Sequence, residues 1–321
     1  MFDMKRFFSY KSKEVSPRDG SPQIDRSADV SGDSTETEGP TIRDVRRGLQ
    51  QGLIAKYGER EAAAMAREII LHLKGWSVEQ LLADEDREAS EYVINRSQEI
   101  LQQLLKDVPL QYILGEAYFY GLKLKVVPGT LIPRPETAEL VDLIVKENPQ
   151  ADLRVLDLCT GTGAIAVALA RNLRFPQITA VDISDVAVNT TLENSRQLKV
   201  KLNVEQGDVF KLTWPKDSFD IIVSNPPYVD ESERATMDRN VLDYEPAEAL
   251  FVPDDNPLVF YTRIADIGNE SLTAGGRLYF EINPRHAAEL SAMLAGKGYS
   301  DIRVIKDING KDRFAKAVKK V

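Results

Sequence analysis

Val155-Leu156-Asp157-Leu158-Cys159-Thr160-Gly161-Thr162-Gly163-Ala164-Ile165-Ala166 starts as an apolar run, turns through two glycines and leaves as an Ala-rich helical pattern. A strand that passes into a helix through so short a turn is the opening unit of an open α/β sheet. Such sheets bind ligands at the carboxyl ends of their strands. Glycine at 161 and 163 lets the backbone approach a ligand closely and packs the helix on the strand. Asp182 stands 21 residues beyond Gly161, at the end of the next strand pattern, where a carboxylate can accept from both hydroxyls of a ribose. The spacing Gly161-x-Gly163-x-x-Ala166 by itself also fits a dinucleotide-binding turn.

Strand patterns follow on both sides of this unit: 154–158, 178–183, 202–206, 220–224, 277–282, 302–308 and 314–318. Helical patterns over 163–172, 185–198, 257–272 and 284–294 separate most of them, which predicts βαβ units and a mostly parallel sheet. Asn309-Gly310 joins the last two strands and predicts an antiparallel pair at the end. Upstream, residues 109–150 read as a hairpin over 117–127 and a helix opened by Pro135 through Val145. Residues 41–108 read as a small helical domain: Thr41-x-x-Asp44 starts one helix that stops at Gly58, and others are expected over 60–73 and 89–105. Residues 1–40 are dominated beyond Lys11 by Ser, Asp, Glu, Thr, Gly and Pro, so a disordered extension is expected. The remainder, 151–321, is the sheet domain.

Composition narrows the chemistry. One cysteine among 321 residues excludes an internal disulfide, and with only His72 and His286 no metal centre is expected. A net charge of −9 argues against holding nucleic acid by its phosphates. No apolar run approaches the roughly 20 residues of a membrane span, and the first residues lack a signal-peptide core, so a cytoplasmic protein away from membranes is expected.

Two carboxylates tilt the expected ligand from a dinucleotide to S-adenosylmethionine. Asp157 precedes the turn, where it can meet the methionine ammonium group, and Asp208 ends the third strand, where it can accept from an adenine amine. Capping of the helix by Asp157 and strand termination by Asp208 are the alternative readings. The fourth strand delivers Asn225-Pro226-Pro227-Tyr228 at its carboxyl end. The Asn side-chain oxygen and the Pro226 carbonyl are acceptors, and neither proline has an N–H to offer. Paired acceptors suit a planar NH2 group whose nitrogen is to attack an electrophilic methyl, with Tyr228 stacked on its face.

These stretches resemble the class I methyltransferases that act on amino nitrogen. Pro109-Leu110-Gln111-Tyr112-Ile113-Leu114-Gly115-Glu116, Leu131-Ile132-Pro133-Arg134-Pro135-Glu136-Thr137 and Tyr244-Glu245-Pro246 narrow the resemblance to the peptide chain release factor glutamine methyltransferases, over residues from about 41 to 321. The resemblance implies a Rossmann-like class I fold and methylation of the glutamine side-chain amide in the Gly-Gly-Gln motif of class I release factors. It implies that Cys159, Thr160, Gly161, Thr162, Gly163, Asp182, Val209 and Asn225 bind S-adenosylmethionine. It further implies that Asn225, Pro226, Pro227 and Tyr228 hold the substrate glutamine, and that the helical domain docks the release factor. The chain departs from the family at Cys159, which replaces a glycine where a positive φ is strained for other residues, and at Ala138, which replaces a common Glu. Glu281 matches the family's strand-end Glu, but the following Ile282-Asn283-Pro284 departs from what usually comes next. A ribosomal-protein glutamine methyltransferase and an adenine-N6 nucleic-acid methyltransferase are the alternatives; the acidic charge and short inter-strand gaps disfavour the second. A monomer is expected.

Because 11–40 offers so little to bury, removing residues 1–38 is expected to leave the melting temperature and methyl transfer to a release factor unchanged. A melting point several degrees lower, or lost activity, would show that the segment packs on the enzyme.

Overall fold

The computed structural model describes residues 39–320, so the extension expected over 1–40 lies outside the described residues apart from Gly39 and Pro40. The chain divides into two units at Lys106/Asp107. Residues 109–150, expected as a separate segment, fall in the second unit with the sheet.

The first unit contains α1 (Ile42–Lys74), α2 (Val78–Asp84) and α3 (Glu91–Leu105). Each starts on a hydroxyl cap. Thr41 and Asp44 form a reciprocal capping box, Ser77 and Gln80 another, and Ser90 accepts from the Val93 N–H. The two helices expected on either side of Gly58 form one run, interrupted where Gly58 takes φ 77° and ψ 167°. Only glycine adopts that conformation cheaply, so the kink is written at that residue. Val45, Leu49, Leu53, Ile69 and Ile70 of α1 are buried, as are Val93, Ile100, Leu101 and Leu104 of α3. Gly52 lets these helices meet closely, since a Cβ there would come within 2.9 Å of the Leu101 side chain.

The second unit opens with α4 (Leu110–Leu114), the hairpin β1 (Glu116–Phe119) and β2 (Leu122–Lys125), and α5 (Pro135–Glu147) with Pro135 in its first turn. Then come β3 (Arg154–Leu158), α6 (Ala164–Asn172), β4 (Gln177–Asp182), α7 (Asp185–Gln197), β5 (Asn203–Gln206) and β6 (Phe219–Ser224). The short β7 (Val229–Asp230) and β8 (Phe251–Val252) pair in parallel beyond them. The chain ends with α8 (Val259–Ser271), β9 (Leu272–Glu281), α9 (Ala287–Gly296), β10 (Ser300–Lys306) and β11 (Asp312–Val318).

Seven strands form one sheet in the order β10-β11-β9-β6-β3-β4-β5. The five strands from β9 to β5 are parallel, and β11 pairs antiparallel with both β9 and β10, as the Asn309-Gly310 turn predicts. Period-two alternation sorts the side chains. Leu156, Leu158, Ile222, Leu278 and Phe280 pack on one face with Tyr261, Ile264, Leu290 and Leu294. Val155, Ile221, Val223 and Tyr279 pack on the other with Leu140, Ile144, Val167 and Leu169.

Asp157 breaks the apolar pattern of β3 on the second of these faces, beneath the start of α6, and is fully buried. Its Oδ2 accepts from Thr160 Oγ1 at 2.6 Å and from the Ala166 N–H at 3.2 Å, bracing the glycine turn from behind. Its Oδ1 has no partner. Burial raises this carboxyl from 3.8 to about 7. From about pH 4 to about pH 7 the folded protein therefore keeps a proton that the unfolded chain has released, and this group's contribution to stability declines as pH rises through that window. Asp157→Asn carries no such titration. In cofactor-free protein the melting temperature of the Asn variant, relative to wild type, is expected to climb by several degrees across that range. A difference independent of pH would show that Asp157 is ionised throughout.

Candidate active site

A cavity of about 340 Å³ lies at the carboxyl ends of β3, β4 and β6. Residues 158–162 form its floor, and Val181–Ser184 and Gly207–Phe210 one side. Asn225 and Pro227 stand across from them, and segments around Arg134 and Glu248 close the remaining wall.

The floor holds its shape through backbone conformations that few residues accept. Gly161 and Gly163 take φ of 58° and 77°. A Cβ on Gly163 would press to 2.7 Å from Thr191 Cγ2, whereas one on Gly161 would meet open space. Cys159 takes φ 59° without being glycine, as its place in the turn predicts, at a cost on the order of 1 kcal/mol. Burial pushes its thiol pKa up, which keeps the sulfur from acting as a thiolate nucleophile. From α7, Thr191 Oγ1 donates to the Gly161 carbonyl at 3.0 Å, and Asn194 Nδ2 donates to the Thr162 carbonyl at 2.9 Å.

Asp182 closes β4 with its carboxylate turned back on the turn: Oδ2 accepts from the Gly161 N–H at 2.8 Å and Oδ1 from the Ser184 N–H at 3.0 Å. Burial raises its pKa against those bonds. Each oxygen retains a lone pair for a further donor. Asp208 accepts from the Phe210 N–H at 3.0 Å and pairs with Lys211, and these contacts lower its pKa. Phe210 and Phe260 contact each other with ring centroids 5.1 Å apart, so this side of the cavity is aromatic.

The Asn225 side chain belongs to a polar chain across the floor. Its Nδ2 donates to Thr137 Oγ1 at 3.5 Å, Thr137 Oγ1 donates to Glu281 Oε2 at 2.7 Å, and Tyr228 Oη donates to Glu281 Oε1 at 3.0 Å. Glu281, the last residue of β9, is 1% exposed, and burial raises its pKa. Burial and the Glu281 carboxylate push the Tyr228 phenol upward, so it remains a donor. Among the described residues nothing donates to Asn225 Oδ1 or to the Pro226 carbonyl.

Another buried carboxylate fixes the facing loop. Glu245, its side chain 1% exposed, accepts from Arg134 at 2.5 Å through Oε1 and from the Ile132 N–H at 3.0 Å through Oε2. Leu250, five residues on, accepts from the Tyr228 and Val229 N–H groups. The Ile-Pro-Arg-Pro-Glu-Thr, Tyr-Glu-Pro and Asn-Pro-Pro-Tyr stretches are thereby tied into one wall.

Of the residues expected at the site, Cys159, Thr160, Gly161, Thr162, Asp182, Asp208, Val209, Asn225 and Pro227 line the cavity. Asp157, Gly163, Pro226 and Tyr228 lie behind that surface, with Asp157 in the bracing position that its helix-capping reading describes. Sequence reasoning assigned no role to Thr137, Arg134, Glu245, Thr191 or Asn194. The signal available for Glu245 was a carboxylate between Tyr and Pro in a stretch without periodicity.

Comparison with known proteins identifies the family. Residues 137–243 match the methyltransferase small domain and residues 50–115 the PrmC N-terminal domain. A release factor glutamine methyltransferase from Bacteroides thetaiotaomicron is 45% identical over 270 residues, 84% of this chain and 97% of that protein. One from Flavobacterium psychrophilum is 37% identical over 279 residues, 86% of this chain and 98% of that protein. Among solved structures, a methyltransferase from Pyrococcus furiosus aligns with a TM-score of 0.48 and 16% identity, over 70% of this chain and 100% of that one. The sheet is thus a Rossmann-like class I methyltransferase fold, preceded in the sequence by a helical unit, and with relatives matched almost end to end the chain belongs to the release factor glutamine methyltransferase family.

Proposed function

We propose that this chain transfers a methyl group from S-adenosylmethionine to the side-chain amide nitrogen of the glutamine in the Gly-Gly-Gln motif of class I release factors. The observation that carries the reading is Asn225, whose Nδ2 is engaged inside the protein while its Oδ1 is left without a donor in the cavity wall.

The cavity suits the cofactor. Asp182 offers lone pairs toward a ribose, Gly161 leaves open space above the floor, and Val209 and Phe210 with Phe260 give an apolar, aromatic side for a purine. Asp157 Oδ1, buried and unpartnered one layer below, leaves an unused polar atom beneath the turn. When bound, the cofactor supplies a methyl carried on a sulfonium.

The chain's own residues prepare the nitrogen. An amide nitrogen shares its lone pair with the carbonyl and is a weak nucleophile. Asn225 Oδ1 and the Pro226 carbonyl each accept a hydrogen bond from one of its hydrogens, raising its electron density and fixing its direction. As the nitrogen–methyl bond forms, the sulfur–methyl bond breaks to leave a neutral thioether, and the nitrogen then releases one of those hydrogens as a proton to solvent. Positioning of this kind contributes up to roughly 7–11 kcal/mol of a barrier. Tyr228, behind the cavity wall, keeps its own proton and donates it to Glu281. The helical unit docks the release factor; Val78 and Leu82, one turn apart on α2, are exposed there, Leu82 at 72%. The setting is cytoplasmic, where termination occurs.

The deciding experiment incubates the protein with labelled S-adenosylmethionine and either a native release factor or one whose Gly-Gly-Gln glutamine is replaced by alanine. Label should pass only to the native factor, and equal labelling of both would overturn the reading. Asp182→Ala is expected to fold yet lose at least about tenfold in cofactor affinity by calorimetry, since charge-assisted hydrogen bonds are worth roughly 1.5–3 kcal/mol each. Unchanged affinity would remove Asp182 from the site. Asn225→Ala should lower kcat about 100-fold, much more than it lowers cofactor affinity, the usual scale for one preorganised contact at a reacting group. Normal turnover would eliminate the amide-holding role.

A further inference from the structure

We propose that Glu281 is a positioning residue that, through Thr137, determines which end of the Asn225 side chain faces the substrate. The proposal rests on the amide-holding role of Asn225 given above. A terminal carboxamide is nearly symmetric in shape, and rotation by half a turn exchanges its oxygen for its NH2 group. In the flipped orientation Asn225 would present donors to an incoming amide that is itself presenting donors. The orientation therefore has to be imposed from behind.

The polarity of the chain imposes it. Each Glu281 carboxyl oxygen has one hydroxyl donating to it, Thr137 Oγ1 to Oε2 at 2.7 Å and Tyr228 Oη to Oε1 at 3.0 Å, so Glu281 takes the hydroxyl hydrogens of both. Thr137 has one hydrogen, and it is spent on Glu281. What its oxygen can show Asn225 is a lone pair, which only the Nδ2 end can meet, here at 3.5 Å. A flipped Asn225 would set Oδ1 against that lone pair. Thr137 and Glu281 are 4% and 1% exposed, so water is poorly placed to supply the missing hydrogen. Thr137 lies on the first turn of α5 and Glu281 at the end of β9, so the two segments that flank Asn225 meet in this relay.

The relay predicts effects on kcat without effects on binding. Thr137→Val keeps the shape and removes the hydroxyl. It should lower kcat about tenfold or more, as expected for a contact felt at the reacting group, with calorimetric affinity for S-adenosylmethionine and titrated affinity for the release factor within about twofold. Thr137→Ser keeps the hydroxyl and should restore turnover to within about threefold of wild type. Glu281→Gln brings an NH2 group that can donate to Thr137 and free its hydrogen toward Asn225, so it should lower kcat in the same way. The Thr137→Val/Glu281→Gln double variant should be little worse than either single, because both cut one relay. Melting curves identify any variant that fails to fold, and the remaining single variant then decides. Wild-type kcat in folded Thr137→Val or Glu281→Gln, alongside a crippled Asn225→Ala, would overturn the relay while leaving the amide site standing. Normal turnover of Asn225→Ala would instead remove the amide site itself. Equal losses in Thr137→Val and Thr137→Ser would assign the effect to packing and refute the proposal.

Discussion

Parallel pairing among β4, β3 and β6 is the constraint on which the rest of the molecule hangs. Val155–Leu158 pairs with Ile178–Val181 on one side and Ile221–Ser224 on the other, so three strands stop at one level. A parallel ladder leaves the backbone at each strand end to be satisfied elsewhere, and here the turns do that work. Thr160 N–H reaches the Val181 carbonyl, Gly161 N–H reaches Asp182, and Ser224 Oγ reaches the Leu158 carbonyl. A residue slip in either pairing would carry Asp157 to the opposite face and pull Asn225 away from the floor.

Beyond the strand ends, the structure relies on three carboxylates, two buried and one half-buried, that hold the loops. Glu245 holds the loop around Arg134, Glu281 joins α5 to the Asn225 loop, and Asp182 clasps the glycine turn. Each is costly to remove from water, and each is offset by two or more donors. Such groups give little net stability; they favour one arrangement of loops over near alternatives, because any other leaves a charge unpaired. Sheet and helices carry the stability, and the acids set the geometry of the wall.

What was legible in the sequence follows the same division. Period-two and helical patterns report burial, so β3 was bounded to the residue and the neighbouring strands within one or two. The Gly-rich turn, the strained Cys159, the acid ending β4 and the terminal hairpin were visible because each has a local rule. β9 was not fully visible: it begins at Leu272, five residues before the pattern, because Gly275 and Gly276 interrupt the alternation. Gly58 looked like a stop and acts as a kink. The relay from Asn225 to Glu281 was out of reach because its members are 88 and 144 residues apart, and periodicity shows that a polar side chain is buried without showing what it meets. For the same reason Asp157 was legible as an acid at the turn, but its place behind the floor is set by the packing of α6 on β3.

The absence of N–H groups at Pro226 and Pro227 has a consequence for fidelity. A glutamine that has hydrolysed to glutamate keeps almost the same shape, but brings negative charge and no hydrogens to a loop that presents oxygen atoms. A site arranged to hydrogen-bond an N–H rejects an analogue lacking it by factors of about 10⁴–10⁵. The neighbouring Glu281 carboxylate, with both hydroxyls already committed to it, adds repulsion rather than relief. Two ring nitrogens without hydrogens thus match the loop, in the function proposed above, to a neutral amide rather than to a carboxylate.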